Sequence, residues 1–343
     1  MSQLPALTAI LPAIGGRATA HDRSGDWPAE DLVNLSAIGA FRWFVPANFG
    51  GEGIDPLELH FRYESIASAS LATALVVSQR DSAVGLIDGS DNQELQDLLL
   101  PPLARGEFFS TIGIAQLTTS RQGGLHAQNS GDDFVLDGAI PWCTGAAMAK
   151  YIVAGAVLAD GSQILFVLPT DLPGVTVMPP MPLVSLRASW TSRVELKSVH
   201  LERRWILRGP AAKALAERTK GIALGQAFLA FGLCRGALEV MASDPSDRAK
   251  FLAEKFGPQL SELHDQVVEI CRNPSDSDSG PRLRAACHDL TLRITQSLVA
   301  LRKGSALLLD DPAQRLAREA LFFLVWSCPD PVIECTVDIL SRN

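Results

Sequence analysis

Hydrophobic periodicity changes twice along this chain, and that change constrains the fold more than any single motif. Up to about residue 108 the apolar residues recur every three or four positions, as in DLVNLSAIGAF, LELHFRYESIASASLATALVVSQ and DNQELQDLLLPPLARGE. That spacing is the signature of amphipathic helices. From about 109 to 208 the period drops to two. DDFVLDG, GVTVMPP and SRVELKSVHLE alternate, with Val194, Leu196, Val199 and Leu201 marking strands. KYIVAGAVLADGSQILFVLP is two apolar runs joined by Asp160-Gly161, a hairpin signal. From 209 to 343 the helical period returns. The expected architecture is α+β: an N-terminal helical domain (1–108), a middle antiparallel β domain resembling a barrel (109–208) and a C-terminal helical bundle (209–343).

Within the last region, AAKALAERTKGIALGQAFLAFGLCRGALEVMAS and AKFLAEKFGPQLSELHDQVVEICRN read as two helices. RNPSDSDSGPR reads as a polar linker. Two further helices follow, PRLRAACHDLTLRITQSLVALRKGSALLL and DPAQRLAREALFFLVWS. The second ends in seven unbroken apolar residues, Leu321 to Trp326 with Ala320 before them, and so reads as a buried helix. It stops at Ser327, with Pro329 and Pro331 as the breakers. FVPANFGGEGIDP (44–56) reads as a loop. Gln79-Arg80-Asp81 is a polar island after ATALVVS. It reads as a helix-end ion pair, or as a buried pair facing a cavity.

The chain has 343 residues and a formal net charge of -8. An acidic surface argues against nucleic acid as a partner, because phosphate contacts need basic groups. No charge-free apolar run reaches the roughly 18 residues of a membrane span. The N-terminus lacks a basic region before its apolar stretch, so a secretory signal is not expected and a cytoplasmic location is. The six cysteines include no C-x-x-C pair and sit mostly among apolar neighbours, which favours reduced thiols. The histidines lack second ligands at helical spacing, so no metal site is expected. No G-x-G-x-x-G or G-x-x-x-x-G-K nucleotide motif is present.

Three stretches, taken in order, resemble the acyl-CoA dehydrogenase family. VPANFGGEGID (45–55) is similar to that family's V-P-x-x-(Y/F)-G-G-x-G-(I/L)-D loop and is followed by E-x-I-A-x-x-S at Glu64 to Ser70. AQLTTSRQGG (115–124) sits where the family has its A-L-T-E-P flavin strand. IPWCTGAAMAKYIVAGA (140–156) resembles the W-I-T-N-G strand. The resemblance implies FAD against the β domain, with Leu117 and Thr118 at the pyrimidine edge and Trp142 and Thr144 walling the ring. An aromatic wall and fixed donors are what a flat flavin ring requires. Without the family pattern, Trp142 reads as a packed strand aromatic and Thr118 as a turn threonine.

The pattern breaks in the C-terminal region. The family's R-x-x-F-G arginine falls on Ala253. Its Q-x-x-G-G-x-G falls on ALRKGSA, placing Ala300, Lys303 and Ala306 where glutamine and glycines stand, with only Gly304 kept. The ADP half of FAD therefore loses support, and FMN, reduced flavin from a partner, or no flavin are alternatives. The family's R-D-A-x-x-x-x-I-Y-E-G-T falls on Arg318-Glu319-Ala320 and Val325 to Pro329, so the usual catalytic carboxylate is Ser327. A serine hydroxyl is too weak a base for the α-proton of a thioester. Some members place the base near Glu217, which also reads as a solvated first-turn glutamate. The resemblance implies a flavin oxidoreductase acting on CH–CH donors of an acyl-CoA or similar acyl substrate, with an electron-transfer partner and a homodimeric or homotetrameric assembly. A flavin monooxygenase or oxidase of the same fold, and a catalytically silent binding homologue, are the other readings.

Overall fold

The computed structural model describes residues 4–118, 124–215, 224–273 and 279–342. The first region holds helices α1 (Leu4–Ser24), α2 (Ala29–Ala37), α3 (Pro56–Ala69), α4 (Leu71–Asp88) and α5 (Gln93–Ala104). The start of α3 is set by local chemistry. Asp55 accepts from the Leu57 and Glu58 amides, and Pro56 occupies the first helical position, where no amide hydrogen is needed. Ser70 caps α4 in the same way, accepting from Thr73.

Among the described residues the middle region is a sheet of eight strands: β1 (Phe109–Gly113), β2 (Leu125–Ser130), β3 (Asp133–Cys143), β4 (Ala149–Val157), β5 (Gln163–Pro169), β6 (Val175–Val177), β7 (Ser192–Leu201) and β8 (Ile206–Ala211). Their order is β6-β7-β3-β2-β4-β5-β8, with β1 paired on β4. The β4–β5 pair closes at Gly161, whose φ of +83° suits the tight turn. The sheet is not purely antiparallel, because β1 runs parallel to β4 and β2 meets β4 in parallel at His126. A short helix α6 (Ala115–Thr118) lies against β3 and β4, so AQLT is one helical turn rather than a strand. Gln116 fixes that turn. Its Nε2 donates to Gly113 O at 2.8 Å and to Gly155 O at 2.9 Å.

The last region contains α7 (Gly225–Ala242), α8 (Asp247–Arg272), α9 (Gly280–Arg302), α10 (Pro312–Ala320) and α11 (Asp330–Leu340). The helix expected from Ala211 does not start there: Ala211 closes β8, and 212–215 form a turn. Two glycines let α7 lie directly on α3. A Cβ at Gly232 would sit 2.4 Å from Glu64 O, and one at Gly236 2.4 Å from Ser68 O. The same contact is tied electrostatically. Glu64 pairs with Arg235 of α7 and lies 3.0 Å from Nε2 of His264 on α8.

LFFLVWS is not a buried helix. The α-helix ends at Ala320, and Leu321–Leu324 continue as a 3₁₀ turn. Phe323 is buried, while Leu321 and Val325 are exposed. Tertiary grip shapes this corner: Arg284 of α9 donates to the carbonyls of Ser327 at 3.0 Å and Trp326 at 3.3 Å. Pro329 and Pro331 do not end α10. They stand at the cap and first turn of α11, where a missing amide hydrogen costs nothing. Arg80 and Asp81 are likewise not a helix-end pair. They lie inside α4, both about 1% exposed.

Candidate flavin-facing site

β3 carries Trp142 next to its last residue, Cys143, and Thr144 follows at once. Alternation along the strand sends Cys143 into the core and Trp142 out. Trp142 is 54% exposed, and Thr144 is buried. An exposed tryptophan is not what a β-core aromatic shows, so the packed-aromatic reading of Trp142 fails. Met148 is exposed a few residues further on.

The backbone turns sharply behind Trp142. Gly145 has a φ of +64°, and a Cβ there would lie 2.8 Å from both the Phe109 and Trp27 rings. Its amide donates to Ser189 O at 2.9 Å. Trp27 packs edge-on against Phe109 at 5.6 Å and tilted against Trp190 at 5.8 Å. Trp190 in turn donates its indole N–H to Gly25 O at 2.8 Å. The turn that presents Thr144 is thus clamped between the sheet and the end of α1. Hydroxyls line its inner side: Thr144 Oγ1 is 3.3 Å from Thr191 Oγ1, which is 2.8 Å from Ser189 Oγ.

Leu117 is placed differently. Its side chain packs over β4, where a Cβ on Gly155 would fall 2.2 Å from its Cδ1. Its amide already donates to Ile114 O at 3.0 Å. Thr118 closes the same turn; its side chain lies outside the described residues, as does Glu217 entirely. The structure brings α6 against β3 and β4, so Leu117 and Trp142 belong to neighbouring elements.

Ser327 sits at the corner after α10, exposed and with φ +47°. Its carbonyl, not a carboxylate, meets Arg284. The residues standing at the family's ADP positions offer little to a pyrophosphate. Ala300 and Lys303 are exposed, Ala306 is buried, and Gly304 faces open space. Lys303 leaves α9 at φ +55°, and Leu307, Leu308 and Leu309 after it are exposed. An open groove of about 420 Å³ lies nearby, lined by Asp22, Arg23, Leu183, Val184, Leu309 and Arg318. It does not reach Trp142.

Of the buried polar groups, the sequence pointed to Arg80 and Asp81 but not to the partners that the fold brings to them. Tyr63 donates its hydroxyl to Asp81 at 2.6 Å, and Arg80 also binds Asp81 and reaches the carbonyls of Phe41 and Leu103. Burial pushes the Asp81 carboxyl above its usual range, against the pull of Arg80. His60 and His288 are each driven down to about 4 by burial. Only the polar island at Arg80-Asp81 carried a visible signal for any of these.

Comparison with known proteins agrees with this architecture. Residues 13–107 match the family model "Acyl-CoA dehydrogenase, N-terminal domain". The "Probable acyl-CoA dehydrogenase YngJ" of Bacillus subtilis (strain 168) is 26% identical over 273 residues, covering 73% of this chain and 69% of that protein. Butyryl-CoA dehydrogenase from Megasphaera elsdenii superposes with a TM-score of 0.82 at 18% identity, over 99% of this chain and 98% of that one. KijD3 in complex with FMN and an amino-keto sugar nucleotide superposes with a TM-score of 0.81 at 21% identity, over 99% and 92%. The three-part fold is acyl-CoA dehydrogenase-like. Residues 13–107 carry an acyl-CoA dehydrogenase N-terminal domain, and the chain as a whole shares the fold of the acyl-CoA dehydrogenases. No helix among the described residues is long and apolar enough to cross a membrane.

Proposed function

We propose that this chain is a flavin-dependent oxidoreductase acting on an acyl-CoA or similar acyl substrate. The observation that carries the reading is Trp142, an indole left 54% exposed at the end of a rigid core strand, beside a buried threonine. Leaving so much aromatic surface in water is unfavourable unless a ligand covers it. Trp142 and Thr144 fit the ring half of a flavin, and the flavin supplies two-electron redox chemistry. Trp142 would stack on the ring, and the Thr144 hydroxyl, backed by Thr191 and Ser189, would donate to its edge. Leu117 and Thr118 would close the other side through α6. The residues at 253, 300, 303 and 306 do not fit an ADP group, which favours FMN over FAD in this chain.

Ser327 supports a second reading. A dehydrogenase needs a carboxylate to take the α-proton, whereas a flavin monooxygenase or oxidase of this fold does not. The exposed Leu307–Leu309 run and the outer face of α11 (Ile333, Val337, Leu340) suit a homodimer or homotetramer. The test is the visible spectrum of the purified protein, followed by chromatography of any flavin released by heat. Bound FMN or FAD supports the reading. A colourless protein that takes up neither oxidised nor reduced flavin overturns it and leaves a silent homologue.

A further inference from the structure

The open groove of about 420 Å³ is walled by all three regions of the chain. Asp22 and Arg23 come from the last turn of α1, Val184 and Arg187 from the segment before β7, Leu309 from the approach to α10 and Arg318 from α10 itself. Clefts of this size at the junction of packed regions are where small molecules commonly bind. Three arginines and one carboxylate line it, in a chain whose net charge is -8.

The three arginines are not equally committed. Arg318 is fully used: it holds both oxygens of buried Asp22, at 3.2 and 2.5 Å, and also meets Val184 O and Gln314. Arg187 pairs with no carboxylate among the described residues. Its Nη1 donates to Arg23 O at 2.7 Å, at the C-terminal end of α1, and its Nη2 packs over Gly25. Capping a helix end explains that one contact. It also holds the guanidinium in place and leaves Nε and Nη2 without an acceptor among the described residues. Arg23 meets Asp310 at the rim, where both side chains are more than half exposed. An exposed pair of this kind contributes little and is readily exchanged. Val184 and Leu309 stand exposed beside these cations.

We propose that this groove binds a small amphiphilic anion, an oxyanion headgroup on a short apolar body. Arg187 and Arg23 take the headgroup, because a planar guanidinium offers paired donors to a phosphate or carboxylate. Arg23 releases Asp310 to do so. The apolar body lies against Val184 and Leu309. The groove does not reach Trp142, so the assignment does not depend on flavin binding.

The experiment is calorimetric titration of the purified protein at low ionic strength with hexyl phosphate, hexanoate and inorganic phosphate. We expect saturable binding of one equivalent of hexyl phosphate or hexanoate, and the tighter of the two identifies the headgroup. Inorganic phosphate should bind about tenfold more weakly than hexyl phosphate, for want of the apolar body. Arg187→Met should weaken the preferred ligand about tenfold, the loss of a charged hydrogen bond. Val184→Asp, at an exposed position where folding is not at stake, should do the same by placing a like charge beside the headgroup. Excess FMN should leave the titration unchanged. Absence of saturable binding of both amphiphiles overturns the proposal. Binding that survives Val184→Asp, or that FMN displaces, overturns this groove as the site even if Arg187→Met does not fold.

Discussion

Two arginines in this chain are buried to nearly the same degree and held in opposite ways. Arg80 is met by a carboxylate, a tyrosine-backed one, together with two carbonyls and the Phe41 ring at 4.7 Å. Arg284 is met by two carbonyls and a thiol. Arg80 sits inside α4, where the N-terminal helices close on one another. Arg284 sits under the corner where the family pattern places a catalytic carboxylate and this chain has Ser327. The first arrangement is complete and reads as architecture. The second ties a backbone corner through two carbonyls, with no carboxylate paired to it among the described residues.

The comparison is broken most forcefully at Asp81. Asp81→Ala would strand a buried guanidinium and should cost about 3–5 kcal/mol, read as a shift of the denaturant midpoint at unchanged slope. Arg284→Met strands no carboxylate and should cost about 1–3 kcal/mol, the loss of its charged hydrogen bonds. Equal losses in the two variants would erase the distinction.

Gly145 tests whether the turn behind Trp142 is as rigid as its packing implies. Gly145→Ala forces a side chain into a left-handed residue and against Trp27 and Phe109. It should cost about 2–4 kcal/mol by thermal or chemical unfolding.

His60 and His288 supply a pH dependence. Both are held near 4 in the folded chain, below the ordinary histidine value of 6.5. Between those values the unfolded chain binds more protons, so stability should fall as pH drops from 6.5 towards 4. The loss should be on the order of 2 kcal/mol per histidine. His288→Gln should flatten the unfolding midpoint against pH, and a curve as steep as that of the unmodified protein would contradict the buried, neutral histidine.

The smallest expected effect on stability is at Trp142. Because half its surface is already in water, Trp142→Ala should change stability by no more than about 0.5 kcal/mol. It should nevertheless weaken flavin binding by roughly tenfold, the loss of one stacking partner, measured by fluorescence titration. Loss of folding in this variant would mark Trp142 as a core residue instead.

The sequence determined the order of the three regions, the β4–β5 turn at Asp160-Gly161 and the cap of α3 at Asp55-Pro56. Each depends on neighbours within a few positions, so local periodicity and turn chemistry suffice. It also showed that no carboxylate stands at position 327. Tertiary structure decided the rest. Whether Trp142 faces the core or water depends on which side of β3 the other strands and α6 cover. Whether LFFLVWS continues as a helix depends on Arg284, some forty residues earlier in the chain, taking the carbonyls of Trp326 and Ser327. Arg80 has its carboxylate next to it in sequence, at Asp81, whereas Arg284 is followed by Ala285 and Ala286. Only long-range packing brought Tyr63 and the carbonyls of Phe41 and Leu103 around the first pair and set the second against the carbonyls of Trp326 and Ser327, because burial removes water from a charge without specifying what replaces it.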